Sequence, residues 1–224
     1  MFFFCNLTLS VIIVMMEKTL YENYPELGPN YFRFADRQAF RLWLEQHVCS
    51  DNEVYVLVKR GKPKDDGTLY YLDAVEEALC FGWIDSTQQN VSGVTFQRFS
   101  PRKRGSPWTE LNKERCRRLI RLGKMTKWGK KILPKLTANS FIPDPEVVDA
   151  IKKARLWSKF RSFPKLYQRI RLYNVAFYKS LDQNLYQRAL NSLLAHTKKG
   201  EMYGEWNDYG RLLEEQDNNC LDPQ

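Results

Sequence analysis

"YLDAVEEALCFGWIDSTQQNVSGVTFQRFSPR", residues 71–102, decides the fold class of this 224-residue chain. Its first part reads as a helix with Val75, Ala78 and Leu79 facing inward. Asp73 is the expected N-cap, and Glu76 sits three residues later as a capping-box partner. Gly82 ends the helix. "STQQNVSGVTFQRFSPR" then reads as a strand, a short turn at Ser92-Gly93 and a returning strand.

Upstream, Asp36 is placed to cap a helix over "DRQAFRLWLEQHV", where Phe40, Leu42, Trp43, Leu44 and Val48 fall mostly at helical spacing. "EVYVLVKRG" is a strand signal closed by Gly61, and "KPKDDGT" is a loop. Downstream, Ser106 is the expected N-cap of a helix with Pro107 in its first turn, running to Gly123. Thr126 opens a further helix around Trp128 and Ile132, which Pro134 ends. "FIPDPE" links this part to three helical segments, "PEVVDAIKKARLWSKF", "PKLYQRIRLYNVAFYKS" and "NLYQRALNSLLAHTKKG". The expected architecture is α+β: a small antiparallel sheet packed with helices over residues 16–138, then a mainly helical C-terminal part over residues 139–224. The aromatic, Gly-punctuated "GEMYGEWNDYGRL" is expected to fold back onto the core.

A hydrophobic fraction of 43% and an aromatic fraction of 14% are ample for a real core. The net charge of +9 is unevenly spread. Residues 1–97 hold 8 Lys/Arg against 13 Asp/Glu, residues 98–131 hold 13 against 2, and residues 132–224 hold 14 against 11. The basic character therefore belongs to one segment, which fits an anionic partner, either a small molecule or a nucleic acid. Five dispersed cysteines without a CxxC pair, with only His47 and His196 beside them, point to reduced thiols in a cytoplasmic protein. Neither a metal nor a cofactor is expected. "MFFFCNLTLSVIIVMM" is short for a membrane span and lacks the basic flank and cleavage site of a signal peptide. Residues 1–15 read as an upstream over-extension before a start at Met15 or Met16; a membrane anchor is the lesser alternative.

Within the basic segment, Arg98, Arg102, Lys103 and Arg104 leave a strand and lead into the expected helix start at Ser106. Free N–H groups and the helix dipole favour an anion there, and arginines add planar donors. Trp83 and Trp108 would form apolar walls. Asp85, emerging from aromatic surroundings, would orient an arginine or a ligand donor, or serve as acid or base if the protein is an enzyme. Lys113, Arg117 and Arg121 fall at i, i+4 and i+8 as one basic stripe, which with Lys103 would grip a nucleic-acid backbone or else form a solvated face. Arg169 and Arg171 would join the network of Arg98, Arg102 and Arg104 or, the favoured reading, merely face solvent, and Cys80 reads as a buried, inert thiol. The chain has no Ser/His/Asp order, Gly-rich phosphate loop, HExxH or paired-carboxylate signature.

"YLDAVEEALCFGWIDS" followed by "RFSPRKRGSPWTELNKERCRRLIRLGKMT" resembles the bacterial YdeI/OmpD-associated family, also called bacteriocin-protection proteins. The matching positions are Glu77, Phe81, Gly82, Trp83, Asp85, Arg98, Ser100, Pro101, Arg102, Ser106, Trp108 and Asn112. The likeness covers roughly residues 31–140, and more loosely the helical part from Pro143 to Met202. It implies a bacterial protein connected with tolerance of bacteriocins, antimicrobial peptides or envelope stress, and it supplies no catalytic mechanism. A non-catalytic binding role is therefore expected, with a sequence-tolerant nucleic-acid binder and an enzyme using Asp85 as the alternatives.

Overall fold

The computed structural model describes residues 26–137 and 140–213, so the start-site reading of residues 1–15 lies outside the described residues. Among those described, the strands are β1 (Tyr31–Phe32), β2 (Val54–Leu57), β3 (Trp83–Val91) and β4 (Val94–Pro101). The helices are α1 (Arg37–His47), α2 (Tyr71–Cys80), α3 (Glu110–Arg121), α4 (Lys127–Lys131), α5 (Pro145–Lys153), α6 (Trp157–Arg161), α7 (Lys165–Lys179) and α8 (Gln183–Lys199). This is an α+β fold with a helical C-terminal part, as the sequence predicts. The chain divides into two compact units. The first runs to Ser106 and includes Leu119–Leu133; the second takes Pro107–Arg118 and the chain from Pro134 onward.

The first unit is built on one four-stranded sheet in the order β1-β2-β4-β3. Ser92 and Gly93 both have positive φ, 50° and 83°, which gives the tight turn between β3 and β4 a twist matched to its strands. The sheet is mixed where an antiparallel one is expected: β1 runs parallel to β2. α1 connects them as a crossover, the only kind of link that returns the chain in the same direction. One sheet face buries Val54, Val56 and Phe99. Phe40 and Trp43 of α1 reach this layer, with Phe40 tilted on Phe99 and Trp43 edge-on to Trp83. The other face gathers Phe96 with Leu27, Tyr31, Tyr55 and Leu57.

Helix α2 packs against α1, β3 and α4, and nine of its ten residues are buried. Three of those nine are the carboxylates Asp73, Glu76 and Glu77, which such burial cannot tolerate unpaired. Two arginines one turn apart on α1 meet them. Arg37 bonds Glu77 at 2.5 and 2.9 Å, Asp73 at 3.1 Å and Glu76 at 3.3 Å. Arg41 bonds Glu77 at 2.8 Å and donates to the Lys124 carbonyl at 3.1 Å. The capping-box expectation fails for this reason. The helix starts at Tyr71, three residues earlier than an Asp73 cap would place it, and Tyr70 at the N-cap makes no side-chain capping bond. Tertiary pairing with Arg37 takes the carboxylates that a local cap would have used.

Gly82 and α4 close the first unit. Gly82 has φ +78°, and a Cβ there would meet Ile132 and the Trp128 carbonyl at 3.2 Å. Thr126 caps α4 as expected, and its hydroxyl also donates to the Cys80 carbonyl at 2.6 Å.

In the second unit α5 to α8 enclose Val147, Ile151, Phe160, Tyr167, Leu193, Trp206 and Leu212. Trp206 and Leu212 show that the C-terminal aromatic stretch does fold back. The first of the three expected helical segments breaks in two at Arg155, whose φ is +60°. Among the described residues no helix is long and apolar enough to cross a membrane.

Arg37→Ala would remove the one guanidinium that bonds all three of these buried carboxylates. It is expected to lower unfolding stability by about 3 kcal/mol or more, read as a shift in urea midpoint. Arg33→Ala, at an exposed position, is the control and is expected to be near neutral.

Candidate functional site

The charge of residues 98–131 divides into an internal and an external part. Arg98, on β4, donates to Glu53 at 2.8 Å and to the Ser86 hydroxyl at 3.0 Å. Lys113 bonds the buried Glu110 at 2.7 Å. Arg117 bonds Glu114 at 2.6 Å and the Leu136 carbonyl at 2.5 Å. Arg169 also reaches Glu114, at 2.8 Å. Arg115 forks onto Asp208 with two bonds of 2.7 Å. Two of the three residues of the Lys113, Arg117 and Arg121 stripe are thus held in ion pairs, and only Arg121 is exposed. Glu110 and Glu114, three residues before Lys113 and Arg117, were the signal in the sequence. Arg169 is likewise inside an ion-pair network instead of facing solvent, and Arg171 is buried over the Tyr203 ring.

Ser106 does not start a helix. Its hydroxyl and amide both donate to the Lys103 carbonyl, at 2.8 and 3.2 Å, closing a turn through Gly105. The first turn of α3 is instead capped by Thr109, whose hydroxyl accepts from the Asn112 amide at 3.1 Å. The expected anion site at a Ser106 helix start is thus absent. Trp83 is 1% exposed and belongs to the core, not to a ligand wall. Trp108 is half-buried and belongs to the second unit, so the site is assembled from the first unit alone.

Part of what remains external is carried by two elements that meet at Gly82. Its carbonyl accepts from the Arg102 amide at 2.9 Å, which brings the 102–105 turn there, and its missing Cβ lets α4 pack against the same residue. Lys103 and Arg104 on the turn, and Lys127, Lys130 and Lys131 on α4, are exposed and form no ion pair with any described carboxylate. Lys127 lies over the Trp128 ring at 4.9 Å. These five cations form a basic shelf. Of the residues expected to bind an anion or a nucleic-acid backbone, the shelf retains Arg104 and Lys103. Lys127, Lys130 and Lys131 were missed because nothing in the sequence ties α4 to Gly82.

Asp85 sits elsewhere on the first unit, in a polar cluster. The Tyr71 hydroxyl donates to its carboxylate at 2.6 Å. Arg60 lies over the Tyr71 ring at 3.8 Å and donates to the Gln97 amide oxygen at 2.8 Å. Gln97 is buried, and its nitrogen donates to the Ser86 and Thr87 carbonyls at 3.1 and 3.2 Å. Those carbonyls lie in the irregularity between Asp85 and Gln88, where β3 holds one residue more than β4.

Residues 32–132 match a family model described as a domain of unknown function (DUF8412). The match spans the shelf, the polar cluster and strands β2 to β4. No curated protein and no solved structure matches the chain. Among the described residues no group of three or more His, Cys, Asp and Glu side chains is placed to hold a metal ion.

Burial pushes the Cys80 thiol up to about 12, with neighbouring Glu77 acting in the same direction. Below that value it stays protonated and unreactive. At about pH 8 iodoacetamide is expected to label the exposed Cys49 of the native chain and to spare the buried Cys80 and Cys116 until denaturant is added. Peptide mass spectrometry reads the result. Equal labelling of Cys80 and Cys49 would contradict its burial.

Proposed function

We propose that the first unit is a non-catalytic binding module for phosphate-bearing ligands, and that the basic shelf around Gly82 is its contact surface. The observation that carries this reading is the five shelf cations without a described carboxylate partner, in a protein whose other basic residues on β4 and α3 are largely consumed by Glu53, Glu110, Glu114 and Asp208. Exposed lysines and arginines on a turn and a short helix suit phosphates spaced along a backbone more than one enclosed anion. A cytoplasmic location and a stress-tolerance role agree with the likeness of residues 31–140 to bacteriocin-protection proteins. The positive shelf would repel a cationic antimicrobial peptide, so protection would run through the phosphate ligand and not through peptide capture. Single-stranded nucleic acid and a mononucleotide share the required chemistry, and ligand length separates them.

The test is fluorescence anisotropy of the full chain with a labelled dT oligonucleotide, an RNA of equal length and a labelled ATP, at about 50 and about 200 mM salt. Oligonucleotide affinity is expected to fall steeply with salt. Lys130→Ala/Lys131→Ala and Lys103→Ala/Arg104→Ala are each expected to weaken it about tenfold at the lower salt and to reduce the log–log salt slope by about two. Binding restricted to ATP would place a mononucleotide on the shelf. Affinities unchanged in both double variants would sink the proposal.

A further inference from the structure

The polar cluster at the β-bulge has features that stability alone does not require. Arg60 is exposed, yet its guanidinium is fixed in orientation on two sides, by the Tyr71 ring beneath it and by the Gln97 amide at one edge. The backbone just before it is held as well, because Lys59 bridges to Tyr70 and the Lys59 carbonyl accepts from the Tyr71 amide at 2.9 Å. Asp85, at the hydroxyl end of the same tyrosine, accepts from Tyr71 through one carboxylate oxygen. Arg60 and Asp85 do not pair with each other, and neither forms an ion pair with any other described residue. Tyr71 therefore acts as a spacer that keeps a cation and an anion apart. A guanidinium has five N–H donors and a carboxylate about four acceptor sites, so the bonds to Gln97 and Tyr71 use only a small part of either set.

We propose that Arg60 and Asp85 form a recognition site for a small zwitterion, a molecule carrying a carboxylate and a protonated amine. The ligand carboxylate lies on the guanidinium fork, and the ammonium lies on Asp85. Planar bidentate pairing is what an arginine held flat offers a carboxylate, and fixing the side chain beforehand removes much of the entropic cost of binding. Gln97 is a positioning residue: it is anchored in the sheet by the bulge carbonyls and sets where the fork points. The site shares no residue with the phosphate shelf and does not rest on the function proposed there.

Calorimetric titration of the full chain with glycine, β-alanine and γ-aminobutyrate tests this, since the series moves the two charges progressively apart. Propionate and propylamine, with one charge each, are the controls. One member of the zwitterion series is expected to bind in about the millimolar range, about tenfold tighter than either control. Arg60→Met and Asp85→Asn should each abolish that advantage, while Lys62→Ala in the neighbouring exposed loop should leave it intact. Gln97→Leu should weaken the zwitterion and should also weaken propionate, because it loosens the arginine and not the carboxylate. Circular dichroism on each variant separates loss of binding from loss of fold; a variant that unfolds is replaced by Arg60→Lys or Asp85→Ser at the same position. A zwitterion series that binds no better than the controls up to about 10 mM overturns the proposal, as does an advantage that survives in folded Arg60 and Asp85 variants.

Discussion

A helix buried on nearly every side cannot carry three carboxylates unless cations reach all of them, and the first unit is arranged around that constraint. Asp73, Glu76 and Glu77 of α2 are taken out of water, and Arg37 and Arg41 come to them from one face of α1. Hydrophobic packing alone would let two helices slide or rotate with modest loss. Directional bonds from Arg37 to all three carboxylates do not. They fix α2 in register against α1, and Arg41 ties the chain before α4 to the same cluster through the Lys124 carbonyl. The two ends of α2 are thereby fixed as well. Tyr71 begins it beside Asp85, and Cys80 ends it next to Gly82 and the basic shelf.

The same solution recurs in the second unit, where Arg115 forks onto Asp208 and Arg169 joins Arg117 on Glu114. Removing either partner of such a pair strands a buried charge, so these residues are constrained by their partners more than by their own surroundings. This explains why the net charge of a segment is a poor guide to its surface. The 13 basic residues of 98–131 look alike in composition, yet Arg98, Lys113, Arg115 and Arg117 serve the interior while Lys103, Arg104, Lys130 and Lys131 remain outside.

Signals that act within a few residues were legible. Asp36 and Thr126 cap their helices, Ser92-Gly93 turns the hairpin, and Gly82 ends α2 with positive φ. Each depends on a backbone preference that distant contacts hardly alter. The failures occurred where a local pattern competed with a distant partner. Asp73 and Glu76 have the spacing of a capping box, but Arg37, 36 residues before Asp73, claims them. Ser106-Pro107 has the look of a helix start, but Gly105 lets the turn close on Lys103 first, and Thr109 inherits the cap. The parallel strand β1 is two residues long, too short for any period to show. At the candidate sites Asp85 and the 102–104 turn could be found from residue type and neighbourhood. Arg60, Tyr71 and Gln97 could not, because they come together only when β2, α2 and β4 are assembled.

Gln97 shows how a stabilising role and a positioning role can rest on one side chain. The extra residue in β3 leaves the Ser86 and Thr87 carbonyls out of the regular ladder, in a region where an apolar residue at position 97 would offer them no donor. An amide nitrogen supplies the donor, and its oxygen then points away with capacity to spare. Arg60 uses that capacity. The bulge therefore requires a polar side chain at position 97 for reasons internal to the sheet, and the geometry of that side chain dictates where an exposed arginine is held. A strand irregularity with no direct contact to Arg60 thus sets the direction of its guanidinium, with one buried amide as the link.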